Sequence, residues 1–251
     1  MLPSSERDPD PAVSVVVPVR NEAGNIAPLV AEIASALRDR PFEIVYVNDG
    51  SKDGTETELR SLMAERPWLR QIKHRESCGQ SAAVRTGVSV ARARIVVTLD
   101  GDGQNDPAFI PVLIANLEKG VPRIGLVAGQ RIGRKVSGFK QLQSRIANTV
   151  RRTVLKDGSR DTGCGLKAFR RDVFLSLPYF DALHRFLPAL VRREGFEIVY
   201  VDVVDRPRRH GASKYGLWDR VWVGILDLAG VWWLIRRKKR VPQYEEVTRA
   251  R

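Results

Sequence analysis

Cysteine is almost missing from this chain of 251 residues: only Cys78 and Cys164 are present. Their separation fits neither a metal-ligand nor a redox pair, which excludes a disulfide framework and predicts reduced thiols in a cytosolic setting. Long apolar runs are missing too. No uninterrupted stretch reaches the roughly 20 residues that span a bilayer. Residues Met1 to Pro11 are polar and proline-rich, without the basic-then-apolar order of a signal peptide, and are expected to be disordered. Glycine-rich phosphate cradles are absent as well. No Gly-x-Gly-x-x-Gly follows the first apolar run, and no Gly-x-x-x-x-Gly-Lys-Ser/Thr occurs anywhere. That weighs against dinucleotide oxidoreductases and P-loop NTPases, so a bound nucleotide would be held by side chains and a cation. Acidic residues are the last shortage: 29 Asp and Glu face 42 Lys and Arg, a formal net charge of +13. Such an excess implies an anionic partner, whether phosphates, nucleic acid or acidic lipid headgroups.

What is present is organised around residues 94–107, Arg-Ile-Val-Val-Thr-Leu-Asp-Gly-Asp-Gly-Gln-Asn-Asp-Pro. Ile95, Val96, Val97 and Leu99 around Thr98 read as a short buried strand. The run stops at Asp100, and Asp102 follows two residues on. Two carboxylates this close repel unless a cation separates them. With the neutral oxygen of Gln104, they form a hard-oxygen set suited to Mg²⁺ or Mn²⁺ bridging to substrate phosphates.

Earlier in the chain, Val13 to Val19 and Phe42 to Val47 read as strands and Leu69 to Lys73 as a weaker one. Helical spacing follows each: Ile26 to Leu37, a helix to about Glu65 that Pro67 ends, and Gly79 to Ala91, rich in small residues. This alternation predicts parallel βαβ units in a doubly wound α/β sheet, with ligands beyond the carboxyl ends of the strands. Those ends carry Pro18-Val19-Arg20-Asn21-Glu22, Asn48-Asp49-Gly50-Ser51 and Asp100-Gly101-Asp102.

The second half is less regular. Ile124 to Ala128 reads as a strand, Arg134 to Lys156 as a basic stretch that ends helically, and residues 161–169 as a turn and short strand. A helix around Ala182 to Glu194 and a strand from Glu197 to Val203 precede a basic loop, residues 206–215. From Trp218 the chain turns Trp-rich: the apolar run Val221 to Ile235 is broken by Asp227 and followed by Arg236-Arg237-Lys238-Lys239-Arg240. Tryptophan beside basic residues suits an amphipathic segment in a membrane interface, the alternative being a helix packed on the domain. The expected organisation is a disordered start (1–12), one α/β domain (13–217) and this C-terminal segment (218–251).

In order, the strings 17–22, 48–55, 79–83, 100–107, 129–131, 161–165 and 211–215 resemble family-2 glycosyltransferases of the GT-A fold, above all the polyprenyl (dolichyl) phosphate sugar synthases. The resemblance implies a Rossmann-like, mostly parallel sheet flanked by helices. It implies metal-dependent, inverting transfer of a sugar, mannose being the first expectation, from a GDP- or UDP-linked donor to polyprenyl phosphate. Pro18, Arg20, Glu22 and Asp49 would line the base and ribose pocket. Asp100 would sit near ribose and cation, with Asp102 and Gln104 as metal ligands. Arg131 and Arg145 would hold the acceptor phosphate, and Arg208, Ser213 and Lys214 would come from a loop over the diphosphate. Asp100, Asp102, Arg131 and Lys214 are thus the implied catalytic set. The setting implied is the cytoplasmic face of a membrane, contacted directly or through an integral membrane partner. The Glu/Asp-Asp pair and Gln-x-x-Arg-Trp string of polysaccharide-building relatives are missing: Gln141 to Arg145 has the wrong spacing. A saccharide acceptor in the same family is the alternative reading. Nucleic acid is not expected as a partner, since aromatics are not interleaved with the basic stretch.

Overall fold

The computed structural model describes residues 10–132, 153–207 and 218–237, with side chains in the last segment from 224 onward. Arg145, Arg208, Ser213 and Lys214 lie outside the described residues.

Seven strands form one sheet: β1 (Val13–Val19), β2 (Phe42–Asp49), β3 (Leu69–His74), β4 (Ile95–Thr98), β5 (Ile124–Arg131), β6 (Lys167–Arg170) and β7 (Glu197–Val203), in the order β3-β2-β1-β4-β6-β5-β7. β6 runs antiparallel to β4 and β5, and every other pair is parallel. The β-branched runs that read as strands are buried on both faces because helices cover both. Alternation sorts them: Val13, Val15, Val17 and Val19 pack with Leu29, Ile33, Ile110 and Leu113 on one face. Val16, Val45 and Val47 pack with Val84, Val88, Leu187 and Leu190 on the other. Each such side chain contributes roughly 1.5–3 kcal/mol when fully buried.

The helices are α1 (Ile26–Ala36), α2 (Thr55–Met63), α3 (Gln80–Val90), α4 (Ile110–Lys119), α5 (Arg171–Ser176), α6 (Leu183–Arg193) and α7 (Trp218–Arg236). The small residues of α3 have a packing reason: a Cβ on Gly87 would lie 2.3 Å from Cγ1 of Val16, so the helix rides close on β1. Boundaries differ modestly from expectation. α2 stops at Met63 rather than Glu65, and β5 runs on to Arg131 because β7 pairs with it up to Val203. The short strand expected within 161–169 is β6, which begins only at Lys167.

The C-terminal run forms α7, which packs on α6 through buried Val231 and partly buried Leu228 and Ile235. Arg193 on α6 donates to the carbonyls of Leu234 (2.9 Å) and Arg237 (3.2 Å), satisfying the end of α7. Ile225, Leu226, Trp232 and Trp233 stay exposed, and Arg236 stacks 4.1 Å from the Trp232 ring centre. Among the described residues no helix is long and apolar enough to cross a membrane.

Candidate active site

The chain runs from β1 outward through β2 to β3 and then returns to place β4 on the other side of β1. This reversal opens a crevice beyond the carboxyl ends of β1 and β4, where open α/β sheets bind ligands. A cavity of about 620 Å³ occupies it, lined among others by Pro18, Arg20, Glu22, Asp49, Asp100 and Asp102.

On one side, the loops after β1 and β2 are laced together. Asn21 Oδ1 accepts from Lys52 N at 2.7 Å, and Asn21 N donates to Ser51 Oγ at 3.0 Å. Thr55 Oγ1 accepts from Glu22 N, while Asn48 Oδ1 accepts from Ser51 N. Much of the 48–55 string therefore builds the turn itself. Asp49 accepts from the Ser77 hydroxyl (2.7 Å), Cys78 N (2.8 Å) and Gly79 N (3.0 Å), and His74 Nδ1 lies 2.7 Å away. Burial pushes the Asp49 carboxyl up, but these hydrogen bonds outweigh it and hold it below the usual range. Asp49, His74 and Cys78 converge closely enough to suggest a metal group. The carboxylate oxygens are already occupied there, so the cluster reads as the anchor of the 74–79 loop.

Across the cavity, β4 ends and the 100–105 turn begins. Asn105 Oδ1 accepts from Asp100 N (3.0 Å), and Asp102 Oδ1 accepts from Gln104 N (3.1 Å). Gln80 donates its amide to Asp100 Oδ1 at 2.8 Å. Asp100 is pushed up to about 6, first by burial and next by the charge of Asp102, with Lys167 and Arg131 opposing. Two inward carboxylates that burden each other in this way form a donor set that a divalent cation relieves. Asp100 and Asp102 are the residues that would hold Mg²⁺ or Mn²⁺, cations that prefer such oxygen ligands. Gln104 does not border the cavity; its backbone carbonyl accepts from Arg206 N at 2.8 Å. Arg206 also pairs with Asp106 (2.5 Å) and Glu32 (2.7 Å), so the chain leaves for residue 208 from beside this turn.

Arg131 does not line the cavity either. Its guanidinium grips Asp161 with Nε at 2.5 Å and Nη2 at 2.9 Å, and Nη1 reaches Asp205 at 3.3 Å. Burial lowers its basicity, but the Asp161 pairing outweighs that and raises it further. Asp161 in turn accepts from Gly163 N (3.0 Å) and so steadies the 162–165 segment that lines the cavity. Arg131→Ala is expected to cost about 3 kcal/mol, since it strands two partly buried carboxylates. Urea unfolding of wild type, Arg131→Ala and the double variant Arg131→Ala/Asp161→Ala checks this, the double variant recovering part of the loss.

Several cavity residues carry no local signal. Lys167 is buried, donates to the Cys164 carbonyl, and is held below its ordinary basicity by burial. His184, at the start of α6, lies 2.8 Å through Nδ1 from the Ser81 hydroxyl and is pushed down to about 3, by burial first and by Lys167 and Arg185 next. The one clue available was Gln80-Ser81 in the 79–83 string. Lys167 and His184 become visible only when β6 and α6 fold back over β4 and α3.

Comparison with known proteins agrees with this architecture. The family described as Glycosyl transferase family 2 matches residues 14–177. The chain is 35% identical over 234 residues to the dodecaprenyl-phosphate galacturonate synthase of Rhizobium johnstonii, covering 91% of this chain and 68% of that protein. It is 34% identical over 210 residues to the undecaprenyl-phosphate 4-deoxy-4-formamido-L-arabinose transferase of Edwardsiella ictaluri, covering 82% and 63% respectively. The chain thus spans about two thirds of the length of these relatives. The fold superposes with a TM-score of 0.66 on Mycobacterium tuberculosis glucosyl-3-phosphoglycerate synthase in complex with Mn²⁺, UDP-glucose and phosphoglyceric acid, at 21% identity over 92% of this chain and 81% of that one.

Proposed function

This chain belongs to glycosyltransferase family 2, and from that premise we propose that it transfers a sugar from a nucleotide-sugar to the phosphate of a polyprenyl phosphate lipid. The observation that carries this reading is the shared identity, along nearly the whole chain, with enzymes named for polyprenyl-phosphate sugar transfer. Mannose, the first expectation from sequence, is not the sugar named for either relative. We take galacturonate as the first sugar to test, with 4-deoxy-4-formamido-L-arabinose next.

The reaction asks little of proton transfer. A lipid monophosphate has its second pKa near 6 and is already anionic at neutral pH. Its oxygen attacks the anomeric carbon in line as the sugar–diphosphate bond breaks, which inverts that centre without a general base. The work left is electrostatic and positional. Pro18, Arg20, Glu22 and the pinned Asp49 border the space for base and ribose. Gln80 orients Asp100. Asp100 and Asp102, with Gln104 as a further candidate ligand, would hold Mg²⁺ or Mn²⁺, which when bound would neutralise the leaving diphosphate. Arg145, Arg208, Ser213 and Lys214 are proposed to hold the acceptor phosphate and cover the diphosphate. Arg131 acts on that phosphate only by exchanging Asp161 or Asp205 for it. The exposed Ile225, Leu226, Trp232 and Trp233, with Arg236 and Arg237 stacked on the tryptophans, support α7 resting on an anionic bilayer on the cytoplasmic face.

The test is transfer itself. The protein is incubated with Mn²⁺, undecaprenyl phosphate in detergent, and labelled UDP-galacturonate, UDP-glucose or GDP-mannose in turn. Label entering an acid-labile, solvent-extractable lipid is expected. Label entering only added oligosaccharide, with the lipid unlabelled, would overturn the acceptor assignment in favour of a saccharide.

A further inference from the structure

We infer that Lys167 binds the diphosphate of the nucleotide-sugar directly, beside the cation that Asp100 and Asp102 would hold. The inference rests on the transferase reading and adds a substrate-binding residue to it. Strand register fixes where this lysine stands. β6 runs antiparallel to β4, and Lys167 is paired with Thr98, two residues before Asp100. From there its side chain reaches back to the Cys164 carbonyl, to which Nζ donates. Because the two strands are antiparallel, that direction leads toward the carboxyl end of β4. The same stretch lies against the carboxylate. The Gly165 carbonyl accepts from the Thr98 hydroxyl at 2.9 Å, and a Cβ on Gly165 would fall 2.5 Å from Asp100 Cγ. Burial opposes the charge on Lys167 and on Asp100, and each then favours the charged form of the other.

A lysine ammonium has three hydrogens to place. Among the described residues the Cys164 carbonyl is the one hydrogen-bond partner of Lys167. The side chain is only 3% exposed, yet it borders the cavity that Asp100 and Asp102 also line. For packing alone a methionine would fill this space without desolvating a charge. An anionic ligand in the cavity offsets that desolvation and accepts the remaining hydrogens. Arg131, the other cation that acts on Asp100, gives its own donors to Asp161 and Asp205. Charge then selects the anion. Two ionised carboxylates and a divalent cation cancel, so Lys167 leaves this wall of the cavity net positive. In the transferase reading the anion held by that cation is the diphosphate, which is thereby brought beside Lys167. A lysine answers a phosphate as a compact point charge with rotatable donors, suited to a group that moves as its bond to the sugar breaks.

The experiment measures nucleotide and cation binding separately, for wild type, Lys167→Met and Lys167→Gln. Methionine keeps most of the stem and removes the charge. Glutamine also removes the charge but keeps an N–H for the Cys164 carbonyl. UDP and GDP are titrated by calorimetry in saturating Mn²⁺, and Mn²⁺ alone is titrated by electron paramagnetic resonance. Expected for both variants is nucleotide binding weakened by about tenfold or more, the scale of a charge-assisted hydrogen bond. Mn²⁺ binding without nucleotide is expected to stay within about twofold of wild type or to tighten, since a positive neighbour is gone. Nucleotide affinity close to wild type in both variants would overturn the assignment, even if UDP-galacturonate binding suffered. Mn²⁺ binding weakened as much as nucleotide binding would overturn it too, marking damage to the carboxylate turn. So would a glutamine variant that binds nucleotide like wild type, because the Cys164 contact would then be the whole role. A wild-type protein that binds neither UDP nor GDP would remove the transferase reading itself, and this inference with it. Thermal melts without ligand separate misfolding from lost binding.

Discussion

Asp102→Asn is expected to lower sugar transfer by about a thousandfold while the protein remains folded, the scale on which a single preorganised electrostatic partner acts. The side chain is buried at the mouth of β4, and its Oδ1 accepts from Gln104 N, a bond that asparagine keeps. What disappears is one of two negative charges. A divalent cation left with a single carboxylate ligand would be held far more weakly, and the charge that develops on the leaving group would go unanswered. Initial rates over a Mn²⁺ titration measure this; a variant with near wild-type rate would remove Asp102 from the mechanism.

The same substitution carries a second, independent signature in the pH dependence of stability. Burial first, and Asp102 second, raise Asp100 to about 6. The folded protein therefore keeps a proton that the unfolded chain releases near pH 4. Folded molecules bind more protons than unfolded ones between those values, so stability is fully present at the acid end and is lost as pH rises through 6. His184, held down to about 3, contributes in the opposite sense over the same range, so the decline is read as the difference between wild type and Asp102→Asn in thermal melts in EDTA from pH 4.5 to 7.5. Asp102→Asn should reduce the Asp100 contribution in part, since the like charge is gone and the burial stays. Mn²⁺ should stabilise the wild type most above pH 6, where both carboxylates are free to bind it. Wild-type and Asp102→Asn profiles of the same slope between pH 4.5 and 7.5 would contradict the assigned repulsion.

Gly165→Ala is expected to cost about a hundredfold in kcat/KM, close to the loss that follows an ångström of misplacement in a reacting site. A Cβ at this position would lie 2.5 Å from Asp100 Cγ and 2.5–2.6 Å from both carboxylate oxygens. Contacts that short do not persist, and Asp100 is too short to swing clear without leaving Gln80 and the cation position. Gly165 is itself tied down, because its carbonyl accepts from the Thr98 hydroxyl at 2.9 Å. The carboxylate moves, and the sheet stays. Weaker Mn²⁺ affinity with little change in the urea midpoint is the expected pair of results. A variant of normal affinity and rate would show that Asp100 tolerates displacement.

These expectations draw unequally on sequence and on structure. The strands were readable because a buried β-strand has a local signature: a short run of β-branched residues packed together. Val13–Val19 and Glu197–Val203 coincide with the sequence reading for that reason. The carboxylate pair was readable too, since Asp100 and Asp102 are separated by one residue at the end of an apolar run. Pro18, Arg20, Glu22 and Asp49 line the cavity, as their place at the strand ends and the family resemblance led one to expect. Arg131 came from the family resemblance and Gln104 from its spacing after the carboxylate pair, and neither is among the residues lining the cavity.

By itself, then, the sequence determined the alternation of strand and helix, the excess of basic residues, and which strand ends carry polar and acidic side chains, all properties of neighbouring residues. Only the tertiary structure decided that β6 enters the sheet antiparallel between β4 and β5, and everything that depends on it. That insertion sets Gly165 against Asp100, closes Asp161 and Asp205 on Arg131, and lets α6 deliver His184 to Ser81 across 103 residues of chain. Contacts at such separation depend on which elements pack together, a choice made by the whole core.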